Sequence, residues 1–306
     1  MKILVALGGN ALLEPNPDPT FEIQYRNAVR TMKMILEGLS PDDQLIITHG
    51  NGTQVGVTLL RYLAAEDIKP YPLYAAVSET QGFIGHILAL AVSNVTKGEH
   101  HAVPVITHVV VDKDDPAFKN PSKPIGPVYT FDEMVEMLEK YSDWKFVNTS
   151  KGWRRVVPSP EPIDIIEKSV IKGLFDSGVI TIACGGGGIP VIKEGNKFKG
   201  VDAVIDKDRA SSLLARILKV DRFVILTGEE YVYLNYGEPD MTPIKEIGVD
   251  ELRNLLSEYD FEEGSIKPKI EAVVEFVEYT GGEAVITSLK KAKEALKGKV
   301  GTIVTR

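Results

Sequence analysis

Short apolar runs rich in β-branched residues recur along the chain and alternate with stretches of helical period. Runs at 2–7, 44–48, 103–111, 179–184, 222–227, 284–287 and 302–305 read as strands. Most are apolar at successive positions, the pattern of strands covered on both faces. Between them, Tyr25, Val29, Met32 and Leu36 make one stripe at helical spacing, and Ile270, Val273, Val274 and Val277 make another. This alternation predicts an α/β chain: a three-layer αβα sandwich around a central, mostly parallel sheet of about eight strands.

Two segments break the rhythm. Residues 192–201, IKEGNKFKGV, read as a hairpin turning at Gly195 and Asn196. Residues 112–162 hold seven prolines, which suit neither a central strand nor a helix interior. One short helix at 131–141 interrupts them. Phe118, Tyr129 and Trp144 argue for an ordered element, so the segment reads as an inserted, protruding lid. The expected organisation is one domain, 1–306, with an N-terminal lobe 1–183 that carries the lid and a C-terminal lobe 184–306.

Three of the strands end in glycine: LVALGGNA, LIITHGNGTQVG and ITIACGGGG. Glycine admits positive φ and close backbone approach. A strand that runs through such a loop into a helix aims free N–H groups at the carboxyl edge of the sheet, which is an anion site. One such loop could be only a tight turn. Three, with Asn10, His49, Asn51 and Gln54 beside them, point to a shared ligand crevice.

Composition narrows the classes. The chain of 306 residues is 43% hydrophobic and 25% charged, as in ordinary globular domains, and its net charge of −8 argues against a nucleic-acid partner. No apolar run in the sequence approaches the roughly 20 residues of a membrane span, so no membrane partner is expected. Cys184 is the only cysteine, so no internal disulfide forms and a cytoplasmic setting is expected. There is no G-x-x-x-x-G-K-[ST], and GNGTQVG is one residue too long for G-x-G-x-x-G. H-E-x-x-H and G-x-S-x-G are also missing, and no metal ligands are expected from the protein.

Lysines stand out instead. Lys123 sits in NPSKPIGP, Lys207 between two aspartates in AVIDKDRA, and Lys269 in GSIKPKIEA. The last two open helices, where the dipole favours anions over cations. An anionic ligand shared between helix end and ammonium explains the placement; a solvated surface lysine is the plain alternative at any one of them.

The segments ALGGNAL, THGNGTQVG, VDKDDPAFKNPSKPIGPVY, GWRRVVPSP, ACGGGGIPV, GVDAVIDKD and GSIKPKI occur in this order between residues 6 and 270. In them the whole chain resembles the carbamate kinases of the amino-acid kinase family. The resemblance implies reversible phosphoryl transfer between ATP and carbamate, giving carbamoyl phosphate and ADP, with small-molecule substrates only. It also implies Mg2+ bound through the nucleotide phosphates, and a homodimer. By motif, Asn10 would donate to the transferring phosphoryl group beside Gly8 and Gly9. Gly50, Asn51 and Gly52 would form a second wall, with Gly185 and Gly186 near the small substrate. Lys123 would descend from the lid, Lys207 would contact phosphoryl oxygens, Lys269 would hold the nucleotide phosphates and Asp206 would orient the lysines. The N-terminal lobe would take carbamate and the C-terminal lobe the nucleotide, bordered by Thr227, Gly228 and Tyr236. The family has an aspartate where Gly228 stands, so base recognition here is expected to rest on backbone groups and aromatic packing. Two other functions fit the same frame: a kinase of another small acid or phosphate, and a non-catalytic binder of nucleotide or carbamoyl phosphate.

Overall fold

The computed structural model describes residues 1–13, 20–65, 67–262 and 264–306, without the side chain of Asn10. Its main sheet has eight strands in the order Glu246–Gly248, Thr302–Thr305, Glu283–Ser288, Arg222–Thr227, Lys2–Leu7, Gln44–His49, Ile180–Ile182 and Ala102–Pro104. Every neighbouring pair is parallel except Glu283–Ser288 with Thr302–Thr305.

The unbroken apolar runs are explained by layers on both faces. Leu4, Ala6, Ile46, Phe223 and Ile225 pack on one side with residues of the helices Lys207–Leu218 and Lys267–Thr280. Ile3, Val5, Leu7, Ile47 and Val224 pack on the other with residues of the helices Phe21–Leu36 and Leu73–Val95. Alternate residues of one strand thus enter two separate cores, and the three-layer αβα arrangement follows. Leu73–Val95, at 23 residues, is long and apolar enough to cross a membrane by length and composition, contrary to the reading of the sequence. Over half of its apolar window is buried within the protein, as in a core helix.

The expected strand 103–111 is two strands in two sheets. Ala102–Pro104 closes the main sheet, whereas His108–Val111 joins a four-stranded sheet with Pro162–Ile165, Ile189–Glu194 and Lys197–Gly200. The break lies at Thr107, which is fully buried. Its N–H donates to Gln81 Oε1 at 2.8 Å and its carbonyl accepts from Gln81 Nε2 at 3.2 Å. A side-chain amide from the core helix thus takes the Thr107 N–H, while the carbonyl also accepts from the Ile189 amide at 2.9 Å. The hairpin turns at Gly195 and Asn196, between the paired Glu194 and Lys197.

Within 112–162 the structure has a three-stranded antiparallel sheet, in the order Lys123–Tyr129, Gly152–Val157 and Lys145–Thr149, with the helix Phe131–Lys140 between its strands. Pro124 and Pro127 lie on an edge strand, where a missing N–H breaks no central ladder. Ile125 and Val157 pack this sheet onto Val55, Leu73, Ala76 and Val77 of the main body.

Candidate active site

The three glycine loops lie above neighbouring strands of the main sheet, at their carboxyl ends. Gly8 donates to the carbonyl of Leu226 at 2.9 Å, and a Cβ on Gly8 would stand 2.8 Å from that oxygen. Gly9 has open space where a Cβ would be, and so does Gly52, the first residue of the helix Gly52–Ala64. A Cβ on Gly50 would lie 3.3 Å from Lys207 Cδ and 3.9 Å from the Gly9 amide nitrogen. The Lys207 stem therefore packs against Gly50, where the second loop comes close to the first. The third loop packs against the second: Cβ atoms on Gly185 and Gly186 would strike His49 and Asn51 at 2.5 and 2.2 Å.

The expected lysines meet two carboxylates. Asp206 caps the helix Lys207–Leu218, its Oδ1 accepting from the Asp208 amide at 2.9 Å. Its Oδ2 pairs with Lys123 at 3.0 Å, across from the three-stranded sheet. Asp208 is 2% exposed and receives Lys207 at 2.5 Å and Lys269 at 3.2 Å. Burial by itself raises an Asp208 pKa, but the two ammonium groups outweigh it and hold the carboxyl below its ordinary value. The orienting task expected of Asp206 is thus divided: Asp206 takes Lys123, and Asp208 takes Lys207 and Lys269. The sequence reading missed Asp208, although it noticed that aspartates flank Lys207.

Other polar residues build the floor. Asn51 Nδ2 donates to Thr80 Oγ1 at 2.8 Å, and Gln81 Nε2 donates to the Gly185 carbonyl at 3.0 Å. Gln81 was not among the expected residues; its one signal was a polar residue on the buried stripe of an apolar helix. Thr48 and Ser211 share a hydrogen bond of 2.6 Å, and the Ser211 hydroxyl donates to the Lys207 carbonyl at 2.5 Å, fixing the first turn that carries Lys207. Cys184, fully buried in the left-handed region at φ 50°, leads into the glycine run. Burial pushes its thiol pKa up, so it is an unreactive core residue.

His49 is a neutral member of the site. Its Nδ1–H donates to the Gly50 carbonyl at 3.0 Å. Burial lowers its pKa to about 4, and the Lys207 charge works in the same direction. The unfolded chain therefore binds the proton more readily between about pH 6.5 and pH 4, and stability is lost as pH falls through that window. The expected contribution is about 3 kcal/mol between pH 7 and pH 4. Urea unfolding of the protein and of His49→Gln across that range checks it, and equal slopes for the two would contradict it.

Beyond the lysines, a cleft of about 840 Å³ opens between the ends of Arg222–Thr227 and the start of Lys267–Thr280. Thr227, Gly228, Tyr236 and Lys269, the residues expected at the nucleotide, all line it, together with Tyr231, Tyr233 and Phe261. Tyr236 donates to Glu229 Oε1 at 3.1 Å. The side chain of Asn10 lies outside the described part of the chain; its backbone forms a short 3₁₀ turn, Gly9–Ala11.

The profile of the amino acid kinase family matches residues 1–288. The carbamate kinase of Thermococcus kodakarensis is 44% identical over 313 aligned residues, which span all of this chain and 99% of that protein. The carbamate kinase of Oenococcus oeni is 42% identical over 311, again across all of this chain and 99% of its own length. The solved structure of a carbamate kinase from Giardia lamblia bound to AMP-PNP superposes with a TM-score of 0.92 at 37% identity, covering 99% of this chain and 98% of that one. The family match, the full-length identity and the superposition converge, and the chain belongs to the amino acid kinase family, among its carbamate kinases.

Proposed function

We propose that the chain transfers a phosphoryl group reversibly between ATP and carbamate, forming carbamoyl phosphate and ADP. One observation carries this reading: Asp208 gathers Lys207 and Lys269 at the mouth of the nucleotide cleft, with the Lys207 stem packed against Gly50. Phosphoryl transfer needs in-line positioning and positive charge around the moving oxygens, and little covalent help. Carbamate is already an anionic nucleophile, so no base is required, in keeping with a buried neutral His49. The obstacle is the approach of two anions, and lysines with preorganised N–H groups offset it. Lys269 faces the nucleotide phosphates, Lys207 the transferring group, and Lys123 the carbamoyl side. Asn10, Gly8 and Gly9 form one wall of that space; Gly50, Asn51, Gly52, Gly185 and Gly186 form the other.

Both aspartates near the phosphates are engaged by lysines, and no group of three metal-ligating side chains occurs among the described residues. That donor set fits Mg2+ brought in on the nucleotide phosphates rather than a resident ion. When bound there, the ion supplies further neutralisation of phosphate charge. Residues 112–162 serve as a lid that delivers Lys123 and excludes water from carbamate and carbamoyl phosphate. We also read the chain as a cytoplasmic homodimer, in line with its one buried thiol and with exposed Phe83 and Leu90 on the core helix. The test is phosphorus NMR of the protein with carbamoyl phosphate and Mg-ADP. ATP should appear, and an unchanged spectrum would overturn the reading.

The nucleotide cleft yields a selectivity prediction. Gly228 offers no side chain to the base, and four tyrosines, Tyr231, Tyr233, Tyr236 and Tyr259, offer aromatic faces along the wall. Aromatic packing tolerates any purine, whereas a lost side-chain hydrogen bond gives away about 0.5–1.5 kcal/mol. GDP should therefore replace ADP with a penalty of about tenfold in kcat/KM. A preference for ADP beyond about a thousandfold, near 4 kcal/mol, would mean that side chains read the base.

A further inference from the structure

A second cleft, of about 210 Å³, separates the three-stranded sheet from the main body. Tyr62, Tyr71 and Asp202 line it from the body, and Tyr129, Trp144 and Arg155 from the small sheet. Arg155 is held flat, its guanidinium carbon 3.8 Å from the centroid of the Trp144 ring. Its Nε is closed off from solvent and has no hydrogen-bond partner among the described residues. A buried guanidinium donor without an acceptor is costly, and the same holds for the Nε atoms of Arg154 and Arg216, so the charge facing Arg155 matters more than the bare donor. Across the cleft stands a carboxylate whose sign is complementary. Asp202 Oδ1 accepts from the Leu73 amide at 2.9 Å, which fixes that side chain to the body. Arg155 and Asp202 act on each other electrostatically without forming an ion pair.

The position of this pair connects it to the site. Arg155 is the register partner of Ile125, two residues beyond Lys123 on the neighbouring strand. Asp202 lies four residues before Asp206, which holds Lys123. One body segment thus faces the small sheet with two carboxylates. One is already joined to its cation and the other is not. We propose that Arg155 and Asp202 are the halves of a clasp that closes this cleft when substrates bind, seats the lid and sets the approach of Lys123. Both are positioning residues: neither touches the reacting atoms. The planar guanidinium suits the task, because it can stay stacked on Trp144 while its edge reaches a carboxylate. The proposal rests on the phosphoryl-transfer reading above, and the two can fail separately.

Only two tryptophans occur in the chain, Trp144 and Trp153, both within 112–162. Trp153→Phe therefore leaves Trp144, under Arg155, as the sole indole reporter. Asp202→Asn is the decisive variant, since it keeps an acceptor for Leu73 and leaves the Arg155–Trp144 stack alone. In Asp202→Asn, kcat for ATP formation should fall on the order of 10–10²-fold, the scale of a displaced catalytic group, with KM for ADP unchanged. The change in Trp144 emission on adding Mg-ADP and carbamoyl phosphate should disappear. Arg155→Gln should lose kcat similarly, Arg155→Lys should recover part of it, and Arg155→Gln/Asp202→Asn should be no worse than the more damaged single variant. An Asp202→Asn protein that keeps normal kcat overturns the clasp. So does one that loses kcat but keeps the full emission change, and so do additive losses in the double variant. Failure of the unsubstituted protein to form ATP would instead overturn the phosphoryl-transfer reading.

Discussion

Lys207→Met should lower kcat for ATP formation by on the order of 10²–10³-fold, the usual cost of one transition-state donor. The side chain is 14% exposed, packs against Gly50, and ends on Asp208. Methionine keeps most of the apolar stem, so packing against the glycine loops survives. What is lost is a fixed positive charge where oxyanion charge develops, and no reorganisation of neighbours replaces it. Asp208 keeps Lys269 as a partner, so its carboxylate is not stranded in the protein. The consequence is a split: kcat should collapse while ADP affinity, measured by calorimetry, changes far less. A folded variant with near-normal turnover would remove Lys207 from the mechanism. Equal losses in turnover and ADP binding would place it on the nucleotide rather than on the transferring group.

Gly187→Ala should cost a large share of the protein's stability. Gly186, Gly187 and Gly188 have φ of 64°, 88° and 91°, in the region that side-chain-bearing residues avoid. A Cβ on Gly187 would stand 2.1 Å from the Ile205 carbonyl oxygen. That oxygen belongs to the backbone just before Asp206, so it can move only by displacing the helix start that carries Asp206, Lys207 and Asp208. Strain at such a φ costs about 1–3 kcal/mol and overpacking about 1–3 kcal/mol more. Against a total of about 5–15 kcal/mol for a folded domain, the sum is severe. Gly195→Ala separates the two terms: its φ is 61°, but nothing lies within 4 Å of the added atom. Denaturant midpoints should drop by the strain term alone for Gly195→Ala and by about twice as much for Gly187→Ala. Similar shifts for both would show that φ strain alone matters and that the Ile205 contact yields.

Local pattern carried much of the fold. The uninterrupted apolar runs had to lie between two layers, and two buried clusters on opposite faces of the sheet bear that out. The turn at Gly195 and Asn196 followed from glycine's own conformational range. The split of 103–111 was only half visible in this way: Pro104 in VPVITHVVV disfavours a central strand, but it does not say that the chain resumes in another sheet. Gln81, distant in sequence, makes the break by capturing both backbone groups of Thr107.

The site divides along the same line. By itself the sequence determined the chemical inventory: three glycine loops after strands, three lysines in unusual settings, and motifs similar to one family of kinases. These are local properties, since a glycine's freedom or a lysine at a helix start depends only on near neighbours. The tertiary structure alone decided which groups meet. Asp206 and Asp208 flank Lys207 alike in IDKD, yet the start of the helix separates them. Asp206, as the cap, turns to its own amides and to Lys123, whereas Asp208, two residues on, is buried between Lys207 and Lys269. Lys269 is 61 residues from Asp208, and Lys123 is 83 from Asp206. No local rule spans such separations. They are closed by parallel strands that bring the loops to one edge and by the packing of Lys207–Leu218 against Lys267–Thr280, which places two charged helix starts side by side.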